Sequence, residues 1–210
     1  MSYGFLDIAM TPSVQAVQVA MGTDHIFRDF EGDRAFDRFT ERERAHIASR
    51  DSFYMATVTE TGWPYVQHRG GPAGFLKVVD DRTLAFADYR GNRQYLSVGN
   101  LAADDRVSLI LVDYPSRTRM KILGRIEHVA VDADADLAAL VADPDYYGQP
   151  ERILKVHLEA FDWNCPQHIT PRFSQAEVTE AIAPLQVRLA ELESENKALH
   201  ALLAAEPKGH

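Results

Sequence analysis

The sequence predicts a mainly β protein with flanking helices, in which an antiparallel β-barrel is followed by a long C-terminal helix. Three observations predict this class. Short apolar or alternating segments recur at close spacing between residues 53 and 163. Only two helical patterns interrupt them, which favours an antiparallel barrel over a βαβ sheet. From Phe173 onward, apolar residues lie alternately four and three positions apart, as in a coiled coil.

The first elements are helical. Thr11 and Pro12 precede the segment Ser13 to Met21, which predicts a short capped helix. Thr40 and Glu43 have the spacing of a capping box, so a second helix is expected to start there and run through Ser49. The chain is accordingly divided into an N-terminal helical arm (1–39), a barrel (40–173) and a C-terminal helix (174–210).

Strand patterns follow, joined by turns that contain glycine or aspartate. The predicted strands are residues 53–59, 63–69, 74–79, 83–88, 107–113, 119–131 and 152–163. The two intervening helices are expected at residues 92–102 and 132–143. Gly124 lies near the middle of a strand, a position that favours a β-bulge or a barrel corner.

The C-terminal segment carries a heptad pattern. Asn196 falls at an a position, where a buried amide favours a parallel, in-register, two-stranded coil. Arg188 at a g position would then face Glu193 at an e position of a second copy. Pro184 is expected to open the helix or kink it, so that the coil starts near Leu185. The alternative is a long helix packed on its own barrel. The a and d positions are Val178, Ile182, Leu185, Leu189, Leu192, Asn196, Leu199 and Leu203.

Composition limits the possible partners. The chain has 210 residues, of which 46% are hydrophobic and 25% charged, as in ordinary globular proteins. Its formal net charge of -9 would repel nucleic acid and anionic membranes, so neither is expected as a partner. The single cysteine, Cys165, is consistent with a reducing compartment. Neither a signal-peptide pattern nor an apolar run long enough for a membrane span is present, which predicts a cytoplasmic protein.

A polar segment marks the most informative junction of the chain. Asp88 to Gln94 follows an apolar strand pattern and leads into the predicted helix, and it contains Arg90 and Arg93. At such a junction free backbone N–H groups and the helix dipole favour an anion. Guanidinium groups add forked, charge-assisted hydrogen bonds to phosphate oxygens. The segment therefore predicts a phosphate site, although no Walker motif is present.

A second polar cluster ends the strand that begins at Trp63. It consists of Gln67, His68, Arg69, Gly70 and Gly71. Together with the first cluster it indicates one anionic ligand held between neighbouring strands.

These clusters lie within segments that resemble the pyridoxamine-5'-phosphate-oxidase-like family. The matching segments are residues 56–59, 63–72, 74–75, 91–95 and 99–101, with a third polar segment at 163–169. Members of this family are FMN-binding split barrels, and the resemblance covers roughly residues 40–173. It implies an antiparallel split β-barrel of the FMN-binding type, working as a homodimer.

The resemblance also implies which residues contact FMN. Arg93 and Gln94 are expected at the phosphate and ribityl chain, with Asn92 turning the loop and Arg69 reaching either the phosphate or the ring. His68 is expected either near the ring or in the core. The full set of candidate contacts is Gln67, His68, Arg69, Gly70, Asp88, Tyr89, Arg90, Gly91, Asn92, Arg93, Gln94, Asn100, Arg119, Lys121, Trp163, Cys165, Gln167 and His168.

Four of the more distant candidates have alternative interpretations. Arg119 and Lys121 share one strand face and are expected either beside the flavin N1–O2 edge or on a solvated surface. Cys165 and His168 form a CxxH pair, but zinc normally needs four ligands and no paired ligand spacing occurs elsewhere. We therefore expect no metal and a cysteine that serves packing. Gln167 is the expected polar contact of this segment, and Trp163 a wall of the site.

The function implied by the resemblance is an FMN-dependent oxidoreductase whose substrate is unassigned. The flavin N5 would accept or donate the hydride, so no catalytic side chain is expected. Partners would be a small-molecule substrate and an electron donor or acceptor. Pyridoxamine phosphate oxidase itself is not predicted, because its substrate-gripping C-terminal segment is replaced here by Cys165 to His168. The alternatives are a flavin carrier or sensor without turnover, and a split barrel that uses F420 or haem.

Overall fold

The structure is a computed structural model that describes residues 3–28, 37–163 and 167–205. The chain divides into two compact units, Met1–Ile169 and Thr170–His210. The helices of the first unit are α1 (Tyr3–Ala9), α2 (Pro12–Ala20), α3 (His25–Arg28), α4 (Glu41–Ala48), α5 (Leu96–Ala103) and α6 (Ala135–Val141). Its strands are β1 (Ser52–Val58), β2 (Pro64–Gly70), β3 (Lys77–Val78), β4 (Thr83–Tyr89), β5 (Arg106–Asp113), β6 (Thr118–Val129) and β7 (Pro150–Trp163).

The seven strands form one antiparallel sheet in the order β2-β1-β5-β6-β7-β4-β3. This confirms the predicted mainly β class and each predicted strand, with one strand much shorter than expected. The segment 74–79 contributes only Lys77–Val78. Gly74 has a φ of 78°, and the Phe75 N–H donates to the Pro72 carbonyl, so a turn replaces the start of the strand.

The sheet curves until strands from its two ends meet. Phe53 on β1 and Phe86 on β4 lie on strands that are separated in the sheet by β5, β6 and β7, yet their ring centroids are 5.2 Å apart. Arg69 on β2 likewise forms an ion pair with Asp88 on β4. The enclosed face carries the hydrophobic core, to which β1, β4, β5, β6 and β7 contribute buried side chains and β3 the partly buried Val78. This is the split barrel that the sequence predicts.

Gly124 is a place where one strand needs a glycine. The register between β6 and β7 shifts between Leu123 and Gly124. A Cβ at Gly124 would lie 2.6 Å from the carbonyl oxygen of His157, closer than real Cβ contacts allow. The predicted bulge is confirmed, and its cause is the close approach of the neighbouring backbone.

Helix α4 packs one side chain into the barrel core and anchors the last strand. The predicted capping box between Thr40 and Glu43 is present, and Ile47 is fully buried. The indole Nε1 of Trp163, at the end of β7, donates to Glu43 Oε1 over 2.7 Å. The predicted cap of α2 is also present, since Thr11 Oγ1 accepts from the N–H of Val14.

The second unit is the helix α7 (Gln175–Ala205). Ser174 and Glu177 exchange hydrogen bonds at its start, because the Ser174 N–H donates to Glu177 Oε2 and the Glu177 N–H donates to Ser174 Oγ. This capping box starts the helix well before Pro184, which lies inside it. Of the two expectations for Pro184, the one in which it opens the helix is therefore wrong, and a kink at Pro184 stays a prediction. Among the described helices, none is both long and apolar enough to cross a membrane.

Candidate functional site

A cavity of about 200 Å3 opens where β2 and β4 end and α5 begins. The two polar segments predicted from the sequence both reach it. Its lining residues are Tyr65, Gln67, Arg69, Asp88, Tyr89, Gly91, Asn92, Arg93, Gln94, Tyr95, Leu96, Ser97, Val98 and Glu151.

The loop before α5 is wound tightly, and the helix starts later than predicted. It begins at Leu96 and not at residue 92, because Arg93 and Tyr95 have φ angles of 63° and 53°, which no right-handed helix accepts. Asn92 fixes this turn. Its Oδ1 accepts from the Gln94 N–H over 3.1 Å and its Nδ2 donates to Gln94 Oε1 over 3.2 Å. Such left-handed residues concentrate at ligand sites.

The N-terminus of α5 presents backbone donors to the cavity. The first N–H groups of any α-helix have no acceptor within the helix. Tyr95, the residue before the first turn, gives no side-chain cap. Leu96, Ser97 and Val98 all line the cavity, so their N–H groups and the positive end of the helix dipole lie at one wall.

Arg69 is held by Asp88 but retains an unsatisfied donor. Its Nη1 forms an ion pair with Asp88 Oδ1, and Arg152 Nη1 approaches the other oxygen, Oδ2, at 2.9 Å. Asp88 is 6% exposed. The Nε of Arg69 is buried and has no hydrogen-bond partner in the structure. A buried donor without a partner is costly, so this atom is suited to a ligand oxygen.

At the rim of the cavity, the negative charge of Glu151 is compensated by an arginine. Arg90 Nε lies 3.0 Å from Glu151 Oε1, and the Tyr95 hydroxyl donates to the same oxygen over 3.2 Å. Burial raises the pKa of Glu151, but the hydrogen bonds from Arg90 and Tyr95 outweigh it and hold that pKa below its usual value. The carboxylate is thus ionised and paired at neutral pH.

Arg93 supplies the uncompensated positive charge of the cavity. The two acidic residues of the lining are already paired, Asp88 with Arg69 and Arg152, and Glu151 with Arg90. Arg93 is exposed and forms no ion pair with any described residue. The cavity therefore favours an anionic group near Arg93 and α5, against the negative charge of the whole chain.

Most of the residues expected to contact FMN meet at this place. Eight of them line the cavity itself: Gln67, Arg69, Asp88, Tyr89, Gly91, Asn92, Arg93 and Gln94. A neighbouring cavity of about 210 Å3 shares Gln67, Arg69, Tyr89 and Gly91 with it and adds His68, Gly70 and Arg90. Asn100 lines a third cavity of about 370 Å3 on the other side of Tyr95, where its Nδ2 donates to Thr57 Oγ1 over 2.9 Å.

His68 does not line the first cavity, because its side chain lies on the other face of β2. Side chains alternate along β2, and Gln67 and Arg69 share one face while His68 points to the other. Its ring packs edge-on against Tyr54 with centroids 5.6 Å apart.

Among the described residues, the remaining expected contacts line neither the cavity nor the two beside it. Lys121 Nζ lies 3.2 Å from Asp162 Oδ2 and 4.4 Å from the ring centroid of Phe5. Arg119 occupies the same outer face of β6, with a buried Nε that has no partner among the described residues.

The segment after β7 is placed away from the cavity in the described part of the chain. Trp163 is held by α4, where it bonds Glu43, stacks under Arg42 and meets the edge of His46. Gln167 and His168 form an exposed turn. Cys165 lies outside the described residues. Within those residues, no group of three or more His, Cys, Asp or Glu side chains is placed to hold a metal ion.

Six lining residues are not in the candidate set from the sequence: Tyr65, Tyr95, Leu96, Ser97, Val98 and Glu151. The period of two along β2 would have added Tyr65, which lies two positions before Gln67. Ser97 and Tyr95 follow once the true start of α5 is known, and the Ser97 hydroxyl donates to Gln67 Oε1 over 2.9 Å. Glu151 carries no local signal, because only the pairing of β4 with β7 brings it there.

The chain matches a known protein family. A family model described as pyridoxamine 5'-phosphate oxidase matches residues 39–161. No curated protein matches the chain.

Several solved structures are similar. A putative pyridoxamine 5'-phosphate oxidase from Lactobacillus delbrueckii is 22% identical, with a TM-score of 0.46, over 61% of this chain and 96% of that one. An FMN-binding protein from Syntrophomonas wolfei is 15% identical, with a TM-score of 0.46, over 71% and 97%. The haem storage protein HutZ from Vibrio cholerae is 14% identical, with a TM-score of 0.40, over 60% and 94%. The family model spans more than half of the chain, and the chain belongs to the pyridoxamine-5'-phosphate-oxidase-like family.

Proposed function

We propose that the protein is an FMN-dependent oxidoreductase of this family, with a substrate still to be identified. One observation carries the proposal. One cavity is lined by Arg93, which pairs with no described acidic residue, by Arg69, whose Nε lacks a hydrogen-bond partner, and by the first-turn residues of α5. This combination suits the phosphate of a cofactor better than it suits a neutral ligand.

The FMN phosphate would sit between Arg93 and the first turn of α5. A phosphate accepts several hydrogen bonds at once, which matches the N–H groups of Ser97 and Val98 and the guanidinium of Arg93. Asp88 and Glu151 would not repel it strongly, because each is paired with arginine. The net positive charge of the site thus lies near Arg93 and the first turn of α5, where the phosphate would bind.

The ribityl hydroxyls would find amide and hydroxyl partners beside the phosphate. Gln67, Gln94 and Ser97 line the same cavity. In the structure Gln67 and Ser97 bond each other, and Asn92 and Gln94 do likewise. These pairs hold the polar groups in place and can exchange partners with sugar hydroxyls.

The cavity is smaller than a whole FMN molecule requires. Cofactor-sized ligands occupy roughly 300–1,000 Å3, whereas this cavity measures about 200 Å3. The phosphate and ribityl chain would occupy this cavity, and the isoalloxazine ring would extend into an adjoining one. When bound, FMN would supply hydride acceptance at N5, while the residues of this chain bind and orient it.

Haem is supported less well than FMN. The described lining contains no histidine, cysteine or methionine, which are frequent protein ligands of haem iron. The arginine-rich wall is explained by a phosphate. F420 also carries a phosphate, so chromatography of the released cofactor separates these two flavin-type candidates.

The phosphate assignment is tested by pairing a protein change with a ligand change. Arg93→Ala should weaken FMN binding by about 1.5–3 kcal/mol, the usual contribution of a charge-assisted hydrogen bond, or roughly 10- to 150-fold in Kd. The same variant should bind riboflavin, which lacks the phosphate, as the wild type does. Fluorescence titration of both ligands measures this coupling.

Arg117→Ala is the matched control, since Arg117 is also an exposed arginine with a positive φ of 54°. It should leave both affinities unchanged. Equal weakening of FMN and riboflavin by Arg93→Ala would show that Arg93 does not bind the phosphate.

Turnover is a separate question from binding. Rapid flavin reduction by NADH or NADPH, followed by reoxidation with a discrete substrate, would support the oxidoreductase. A flavin that stays oxidised with every donor would instead support a carrier or sensor.

A further inference from the structure

The second unit of the chain exposes a continuous apolar stripe. Side chains from residue 171 to residue 202 are all exposed. Leu185, Leu189 and Leu199 are 69%, 57% and 61% exposed, and they belong to the a and d positions of the heptad. Isolated helices in water gain little from propensity alone, so a helix of this kind is normally stabilised by packing its apolar face.

We propose that this stripe binds the same stripe of a second copy, forming a parallel, in-register coiled coil. The register follows from Asn196. In a parallel pair the two Asn196 side chains share one a layer, where the amides can bond each other. In an antiparallel pair a positions face d positions, so the amide would be buried against a leucine without a partner.

The charges beside the stripe suit the same arrangement. In a parallel coil a g residue faces the e residue five positions later in the other helix. This places Arg188 opposite Glu193 of a second copy, and Glu195 opposite His200. Within one helix Arg188 Nη1 already lies 2.9 Å from Glu191 Oε2. That pair is exposed and contributes little, so it does not prevent the contact between helices.

Pro184 is compatible with the coil. With Asn196 at a, Pro184 falls at a c position, on the side of the helix away from the stripe. The helix continues through it from Gln175 to Ala205. Proline removes one backbone hydrogen bond there but takes no place in the apolar stripe. The layers from Leu185 onward are uninterrupted, and Val178 and Ile182 extend the pattern before it.

Disulfide trapping in the full chain tests the register directly. In a Cys165→Ser background, Leu185→Cys and Leu199→Cys each place one thiol in a d layer near one end of the coil. Under mild oxidation both variants should shift from monomer to dimer mass on non-reducing gels. Identical residues meet at both ends only in a parallel, in-register pair.

Lys197→Cys is the control, because position b faces away from the partner helix. It should stay largely monomeric, which excludes trapping by chance collision of nearby tails. Trapping of all three variants alike, or of none, would overturn the proposal. The result does not depend on FMN, so it stands or fails separately from the proposed function.

Discussion

At the scale of single residues, the carboxylate of Asp88 organises the candidate site. It is buried and accepts from Arg69 and Arg152, two arginines that lie far apart in the sequence. Arg152 also lies over the Tyr95 ring, 5.2 Å from its centroid. Asp88 therefore fixes both the wall of the cavity and the closure between β2 and β4.

Removing that carboxylate should destabilise the protein. Asp88→Ala leaves two partly buried arginines without their shared partner, and the expected loss is about 3 kcal/mol in the free energy of unfolding. Denaturant unfolding of the ligand-free protein measures it. Asp104→Ala is the control, because Asp104 pairs with the exposed Arg106 and its loss should be much smaller than that of Asp88→Ala. Equal losses in both variants would show that Asp88 has no special structural role.

The sequence shows which residues are polar and where strands end, but not which of them pair. Arg69 and Asp88 were both expected at an FMN site, yet nothing in their spacing indicates that they bind each other. That contact requires the curvature of the whole sheet. Glu151 and Arg152 were missed for the same reason. Arg93 was identified because its role depends on a local loop and the helix after it.

At the scale of elements, α4 is tied to the barrel through one buried carboxylate. Glu43 is 3% exposed, caps its own helix through Thr40 and accepts from Trp163 at the end of β7. Burial raises the pKa of Glu43, but hydrogen bonds from Thr40 and Trp163 outweigh it, and that pKa lies below its ordinary value of 4.5.

This pKa has a direct consequence for acid stability. A carboxyl whose pKa is lower in the folded state stabilises the protein fully above its unfolded pKa, here 4.5, and loses that contribution as the pH falls through the folded value. Glu43→Gln should therefore cost about 1–2 kcal/mol at neutral pH, and the difference from wild type should shrink below pH 4.5. Unfolding curves across this pH range measure it.

Glu41→Gln is the control, since Glu41 lies in the first turn of the same helix but is exposed. Its effect should be small at every pH. A Glu43→Gln difference that stays constant into acid would contradict the assignment.

Elements were predictable where local chemistry determines them. The capping boxes, the strand alternation and Gly124 all have signals within a few residues. The start of α5 was placed too early because the positive φ angles of Arg93 and Tyr95 belong to residue types that rarely adopt them. Pro184 does not open α7, because a long helix accommodates a proline at the cost of one backbone hydrogen bond.

At the scale of the whole molecule, a local positive site operates within a negatively charged chain. The formal net charge is -9, whereas the acidic residues of the cavity at α5 are paired and Arg93 forms no ion pair with any described residue. Long-range attraction therefore does not draw an anionic cofactor in, and short-range hydrogen bonds must hold it. Because only short-range hydrogen bonds hold the anion, a tightly enclosed phosphate is favoured over a loosely bound one.

The two units should also separate experimentally. A chain that ends at Arg172 retains every strand and the whole core of the first unit. It should stay folded and keep its FMN affinity, as judged by circular dichroism and fluorescence titration. A chain cut after Leu158 loses the core residue Phe161 and serves as the unfolded control. If the chain that ends at Arg172 unfolds, α7 is part of the core.

The most direct test of the central claim is the absorption spectrum of the purified protein, with the released chromophore identified by chromatography. We expect FMN at close to one molecule per chain. A colourless protein that takes up no added FMN would contradict it, and the arginines of the cavity would then serve a different phosphate ligand or the structure alone.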